Sequence, residues 1–289
     1  MADVTIRDRL RAVVPFGARL FPEGRVAIIR LNGPIGGTGR TVELIELAKR
    51  LRESSRVPAV VLDIDSPGGS ATASDELFLA FERLAAKKPL VASIRGTGAS
   101  GAYLAAMAAR RVLANPNAIV GSIGVISAGF GLDKVIDRLG IERRVHTAGK
   151  DKGALDPFRP ERPEDVALLK ELQRDVHEVF MNAVKERRGG KLSGSAEDLF
   201  SGSFWSAVRA RELGLIDGIA DLRSKMQELH GRKVRLKAVP LAAGGLLSRF
   251  RRLPGFQTIT NDGFAFAPSF ADDLISAVEA RALWSRFGL

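Results

Sequence analysis

The 289-residue sequence has no cysteine, three histidines, one tyrosine and two tryptophans. Without cysteine there is no disulfide, no thiolate metal site and no cysteine nucleophile. Three histidines, His146, His177 and His230, leave few places for a Ser-His-Asp hydrolase or a histidine-rich metal site. No stretch approaches the roughly 18 uncharged apolar residues of a membrane-spanning helix. Residues 1–24 carry Asp3, Arg7, Asp8, Arg9 and Arg11 and lack the apolar core and small-residue cleavage site of a signal peptide. The expectation is a cytoplasmic protein with neither cofactor nor metal. The net charge is +11, yet Lys and Arg are spread widely and interleave with no aromatic patch. Nucleic acid is therefore not an expected partner.

What is present reads as an ordinary globular chain, 45% hydrophobic and 27% charged, long enough for one large domain or two modest ones. Apolar runs at 26–31, 59–64 and 89–94 read as buried strands. Helical spacing of apolar residues marks 41–53, 73–86 and 163–188. Shorter strands are expected at 111–114 and 118–126, with short helices at 132–139 and 205–213. Strand-helix alternation predicts an α/β domain with mostly parallel strands. The core is expected over 25–230, between an amphipathic lead at 1–24 and an appendage at 231–289. The appendage includes a basic, apolar segment at 246–256 and an amphipathic helix pattern at 271–287.

Two glycine-rich turns follow strands. Asp65-Ser66-Pro67-Gly68-Gly69 exposes backbone N–H groups and admits another chain closely. Such groups serve an oxyanion hole or only a tight turn. Gly98-Ala99-Ser100-Gly101 sets a serine between an apolar strand and an Ala-rich helix. A serine there is a helix N-cap or an exposed nucleophile. Both turns lie at the ends of parallel strands, where open α/β folds bind ligands.

A serine hydroxyl needs a base. His146 follows Arg143-Arg144-Val145 in a reading of exposed strand, with no carboxylate nearby in sequence, and His177 lies on the long helix. The other source is the loop from Val145 to Pro160, where Lys150 and Lys152 stand among small residues before Asp156-Pro157-Phe158-Arg159. Desolvation lowers a lysine's pKa far enough for it to act as a base.

Together, Asp-Ser-Pro-Gly-Gly, Gly-Ala-Ser-Gly-x-Tyr, Gly121-Ser122-Ile123-Gly124-Val125 and Gly-Lys-x-Lys-x-Ala-x-Asp-Pro-Phe-Arg occur in this order. The chain resembles the signal peptide peptidase A type serine proteases over roughly residues 25–225. The resemblance implies the Clp protease/crotonase-like fold, a repeated β-β-α superhelix with a helical C-terminal region. It implies a Ser-Lys dyad of Ser100 and Lys152 that hydrolyses peptide bonds in signal peptides or other fragments. Lys150 stands where the family varies and reads as a surface charge. Gly68 or Gly69, with Gly101, would hold the oxyanion, and Ser122 would orient the lysine or line the cleft. Val125 and its neighbours would pair with an extended substrate. The resemblance further implies a homo-oligomer in which one subunit offers its lysine to a neighbour's serine. Peripheral membrane contact through the lead or 246–256 is a further expectation. Two other readings are a crotonase-like acyl-CoA enzyme, which needs a cleft carboxylate, and an inactive membrane-surface scaffold.

Overall fold

In the computed structural model, residues 25–36 and 39–241 are described; the lead and the segments at 246–256 and 271–287 lie outside them. Strand β1 (Arg25–Asn32) leads to helix α1 (Gly39–Glu53), β2 (Ala59–Ser66), α2 (Ala71–Lys87) and β3 (Leu90–Ala99). Then come α3 (Gly101–Ala106), β4 (Arg111–Ala114), β5 (Ile119–Gly121), α4 (Asp133–Arg138) and the long α5 (Pro163–Arg188). The remaining elements are α6 (Ala196–Leu199), β6 (Phe204–Ser206), α7 (Ala207–Glu212), β7 (Gly218–Ile219), α8 (Leu222–His230) and β8 (Arg235–Ala238).

One sheet joins all the described strands, in the order β6-β5-β3-β2-β1-β8, with β4 beside β3 and β7 beside β4. Every pairing is parallel except β5 with β6. The α/β, mostly parallel class expected from sequence is the one found. β3 is the hub. Its first half pairs with β4 through Val91–Ile94, and its last residues, Thr97–Ala99, pair with β5. The boundary expected at residue 230 falls between α8 and β8, and β8 pairs with β1 from Arg25↔Arg235 to Ile28↔Ala238.

Side chains alternate across the sheet, as strand geometry requires. Ala27, Ile29 and Leu31 join the main core with Leu62, Ile64, Ala92 and Ile94. There α1 contributes Leu44, Leu47 and Leu51, and α2 contributes Leu77, Phe81 and Leu84. Val26, Ile28, Ala59 and Val61 face the other way and close on Met226 of α8. Burial on both faces explains the continuous apolar strands of the sequence. Each fully buried Leu or Phe contributes about 2 to 3 kcal/mol. Ser70 starts α2 by accepting a hydrogen bond from the Ala73 N–H at 3.4 Å.

Two strands differ from expectation. β3 runs on to Ala99 rather than ending at residue 94, because the residues past Gly96 find a new partner in β5. β5 stops at Gly121 rather than 126, because Ser122 turns to φ 53 and leaves the ladder. The helix expected over 163–188 occupies that span.

Candidate active site

Parallel strands bring the C-terminal ends of β1, β2 and β3 to one edge of the sheet. The turn after β2 is tied to the segment after β1. Ile35 N–H donates to the Gly68 carbonyl at 2.8 Å, and Ser70 N–H donates to the Ile35 carbonyl at 2.7 Å. Inside the turn, Gly68 N–H donates to the hydroxyl of the fully buried Ser66 at 3.2 Å. Gly68 lies at φ 94, in the left-handed region that disfavours L side chains. Space excludes them too. A Cβ at Gly68 would lie 2.8 Å from Ala99 O, Gly101 N and Ser100 Cβ. The two glycine-rich turns are therefore in direct contact.

Ser100 occupies the bend between β3 and α3 at φ 52, ψ −127. This is a strained conformation for a residue with a side chain. It is half-buried, and its N–H donates to the Gly121 carbonyl at 2.8 Å. Its hydroxyl caps nothing and makes no hydrogen bond among the described residues. The N-cap reading of this serine is therefore not the one its geometry supports. Two N–H groups remain open beside it. Gly101 is the first residue of α3 and has no intrahelical acceptor. Gly69 N–H has no backbone acceptor among the described residues, whereas Gly68 N–H is already engaged by Ser66. Gly69 N lies 3.7 Å from where a Cβ of Gly101 would stand, so the open donors are neighbours.

Ser122 follows the Gly121 that anchors Ser100. It is buried, with its N–H on the Ser203 carbonyl at 2.7 Å and its hydroxyl unbonded among the described residues. His177 Nε2 lies 3.2 Å from the Ile123 carbonyl and ties this segment to α5. Val125 lies beyond, beside a cavity of about 500 Å³ that it lines with His177 and Lys170.

Thus Ser100, Gly68, Gly69, Gly101 and Ser122 share one edge of the sheet. Lys152 does not join them through any contact within the described residues. It is exposed, in the turns after Gly149, and its side chain makes no hydrogen bond or ion pair among the described residues. Lys150 is exposed as well and borders a separate cavity of about 810 Å³. The loop itself is well anchored just beyond. Asp156 pairs with Arg143 and with Arg159, and the Arg143 guanidinium lies 4.6 Å from the Phe158 ring centre. Asp165 accepts the Leu155 N–H at 3.2 Å and pairs with Arg162 at 2.6 Å. His146 is exposed in irregular chain rather than in a strand.

Sequence reading took Asp65 and Ser66 only as members of the turn and did not name Ile35. Ser66 engages Gly68 N–H, Ile35 brackets the turn from β1, and Asp65 Oδ1 accepts the Thr97 N–H at 3.0 Å. The signal for Ile35 was Gly33-Pro34 directly after the first strand, a third turn at the same edge. Nearby, burial pushes the Asp63 carboxyl up, only partly offset by Arg95 and Arg30. Among the described residues no three His, Asp or Glu side chains gather as a metal site. None of the described helices is long and apolar enough to cross a membrane.

Comparison with known proteins places this architecture. Peptidase family S49 matches residues 82–235, more than half of the chain and inclusive of Ser100, Ser122 and Lys152. The chain belongs to peptidase family S49. It is similar to a protein of Brucella abortus (strain 2308) named Na(+)/H(+) antiporter NhaA. The two are 41% identical over 278 residues, covering 92% of this chain and 37% of that protein. The chain is 33% identical over 200 residues to the chloroplastic serine protease SPPA of Arabidopsis thaliana, covering 68% of this chain and 29% of that one. It thus spans about a third of the length of these curated relatives, 37% and 29%. The antiporter name belongs to a protein most of which lies outside the alignment. Among solved structures, a mutant of the 1510-N membrane-bound stomatin-specific protease is similar with a TM-score of 0.49 at 14% identity. That match covers 76% of this chain and 99% of the other.

Proposed function

We propose that this chain is a serine endopeptidase of family S49, with Ser100 as nucleophile and Lys152 as general base. One observation carries the reading. Ser100 is held in a strained strand-to-helix bend, with its hydroxyl unbonded among the described residues and two open N–H groups at its side. Strain that no cap or contact explains is a mark of a working residue. The name of the plant relative, a serine protease, supports the serine type.

In this reading the Ser100 Oγ attacks a peptide carbonyl while a neutral lysine takes its proton. The oxyanion is received by the N–H groups of Gly69 and Gly101. Gly69 is preferred over Gly68 because Gly68 N–H is held by Ser66. Each such donor is worth about 3 kcal/mol in the transition state. The lysine then protonates the leaving amine, and water releases the acyl group. Ser122, with its hydroxyl one residue from the Ser100 anchor, would orient the lysine.

A lysine acts as base only where water is excluded. Lys152 is exposed in the single chain, so the reading requires a second copy to bury it against Ser100. Exposed apolar residues in the same region support a homo-oligomer. Phe130 is 76% exposed and Leu139 67%. The substrates proposed are peptides, entering along the segment that ends at Val125. A crotonase-like reading finds no free carboxylate at the end of β2, since Asp65 is committed to Thr97 N–H and Arg95.

Labelling with a fluorophosphonate tests the proposal. The wild type should label once, at Ser100. Ser100→Ala should not label, and Lys152→Ala should lose peptide hydrolysis while Lys150→Ala keeps it. A wild type that does not label, or equal labelling of Ser100→Ala, would end this reading.

A further inference from the structure

We propose that Asp65 is a positioning residue that sets Ser100 against the Gly68-Gly69 turn, by filling a bulge in β3; this rests on the serine peptidase reading. The starting observation is a change of register. β2 and β3 pair residue for residue from Val60↔Leu90 to Ile64↔Ile94, and the next pair is Ser66↔Gly98. Two steps along β2 are matched by four along β3. Bulges in parallel ladders are rare and re-aim whatever follows them.

The consequence falls on the nucleophile. Had the first register continued, Gly98 rather than Ser100 would stand opposite Gly68. The two additional residues hold Ser100 back from the level of Ser70, and its Cβ then lies against Gly68. The bulge is thus what brings the serine level with the turn whose N–H groups it needs.

Asp65 occupies the bulge. Its Oδ1 accepts the Thr97 N–H at 3.0 Å, a bond that the ladder no longer supplies. A Cβ at Gly96 would overlap Oδ1 and lie 3.0 Å from the carboxyl carbon. Glycine at 96 is thus the space that the carboxylate fills. The main chain of Asp65 is fixed as well, because its carbonyl accepts the Gly33 N–H at 2.9 Å. Thr97 is fully buried, so losing this acceptor would strand an N–H where water cannot reach. The Oδ2 partner, Arg95 at 3.5 Å, is about half exposed and also reaches Asp63. That ion pair contributes little. The hydrogen bond to Thr97 therefore carries the role, and an amide oxygen would serve it as well as a carboxylate.

The test compares Asp65→Ala, Asp65→Asn and Arg95→Ala in the full chain. It follows the fluorophosphonate labelling rate of Ser100, kcat and KM on one peptide, and circular dichroism. Asp65→Ala should slow labelling and kcat by about a hundredfold with KM little changed, as a misplaced nucleophile does. Asp65→Asn and Arg95→Ala should stay within a few-fold of wild type. If Asp65→Ala fails to fold, the amide variant decides: a folded Asp65→Asn that labels about a hundredfold more slowly overturns the proposal. So does a folded Asp65→Ala that labels at the wild-type rate. If the wild type itself does not label, the peptidase reading fails first and this inference falls with it.

Discussion

Ser70 and Ser100 precede successive helices with mirror-image backbones, at φ −53, ψ 128 and at φ 52, ψ −127. Ser70 caps its helix and Ser100 does not. The same residue type at the same kind of junction is used once for stability and once against it. Ser100→Gly should therefore abolish hydrolysis yet raise stability by about 1 kcal/mol, because glycine adopts this bend without strain. Ser70→Ala should lower stability by about 1 kcal/mol through the lost cap. Urea unfolding followed by circular dichroism measures both. A Ser100→Gly midpoint at or below that of wild type would show that the bend stores no strain.

Gly68→Ala should be far worse than its left-handed backbone alone predicts. Its Cβ would meet Ala99 O, Gly101 N and Ser100 Cβ at 2.8 Å, so the two turns must separate. Hydrolysis should fall about a hundredfold from so small a shift. Gly149→Ala is the control. Gly149 also has a left-handed φ of 104, but a Cβ there meets only Lys152 Cβ at 3.9 Å. It should cost about 1 kcal/mol of stability. Equal losses of kcat in the two variants would deny the contact its importance.

Asp217 gives the fold an acid limit. Burial pushes its carboxyl up, but hydrogen bonds from Lys191, the Val112 N–H and Arg188 outweigh it and hold the pKa below 3.8. A depressed carboxyl contributes stability above its unfolded pKa and loses it as pH falls through the folded one. Wild type should thus weaken below about pH 4. Asp217→Ala strands the buried Arg188, which lies 3.0 Å from Asp217, and should cost about 3 kcal/mol at neutral pH. The gap between variant and wild type should narrow in acid. A gap that stays constant from about pH 7 down to about pH 2 would assign the role to packing instead.

Mixing two inactive variants tests completion of the dyad between copies. Ser100→Ala supplies a good lysine and Lys152→Ala a good serine. If copies exchange lysines, co-refolded mixtures should recover a sizeable fraction of wild-type hydrolysis. Mixtures that stay as inactive as either variant alone, although they form hetero-oligomers, would place the base within each chain.

The strands and the long helix were legible because apolar periodicity is set by burial, and both faces of this sheet are covered. The helix at 163–188 is a clear case, although Leu168, Leu172 and Val179 of its apolar series are exposed in the single chain. Local pattern cannot tell a face that meets its own core from one that meets another molecule. The end of β3 was hidden by Gly96 and Gly98, which read as a turn. Their reason is tertiary: Gly96 makes room for the Asp65 carboxylate, and a Cβ at Gly98 would press on Ile94 at 2.7 Å. Ser100 and the glycines of the candidate site were legible as motifs. The open state of Gly69 N–H was not, because it depends on which neighbouring N–H Ser66 takes.

The pairing of β1 with β8 also dictates when this edge of the sheet can close. Residues 25–32 leave the ribosome well before their outer partner, Arg235–Ala238. At about 5 to 20 residues per second, β1 waits with one edge unpaired for roughly ten seconds or more. Throughout that interval the open ladder is available to other nascent chains. Strand β8 joins the sheet only after Ser100, Ser122 and Lys152 have all been synthesised.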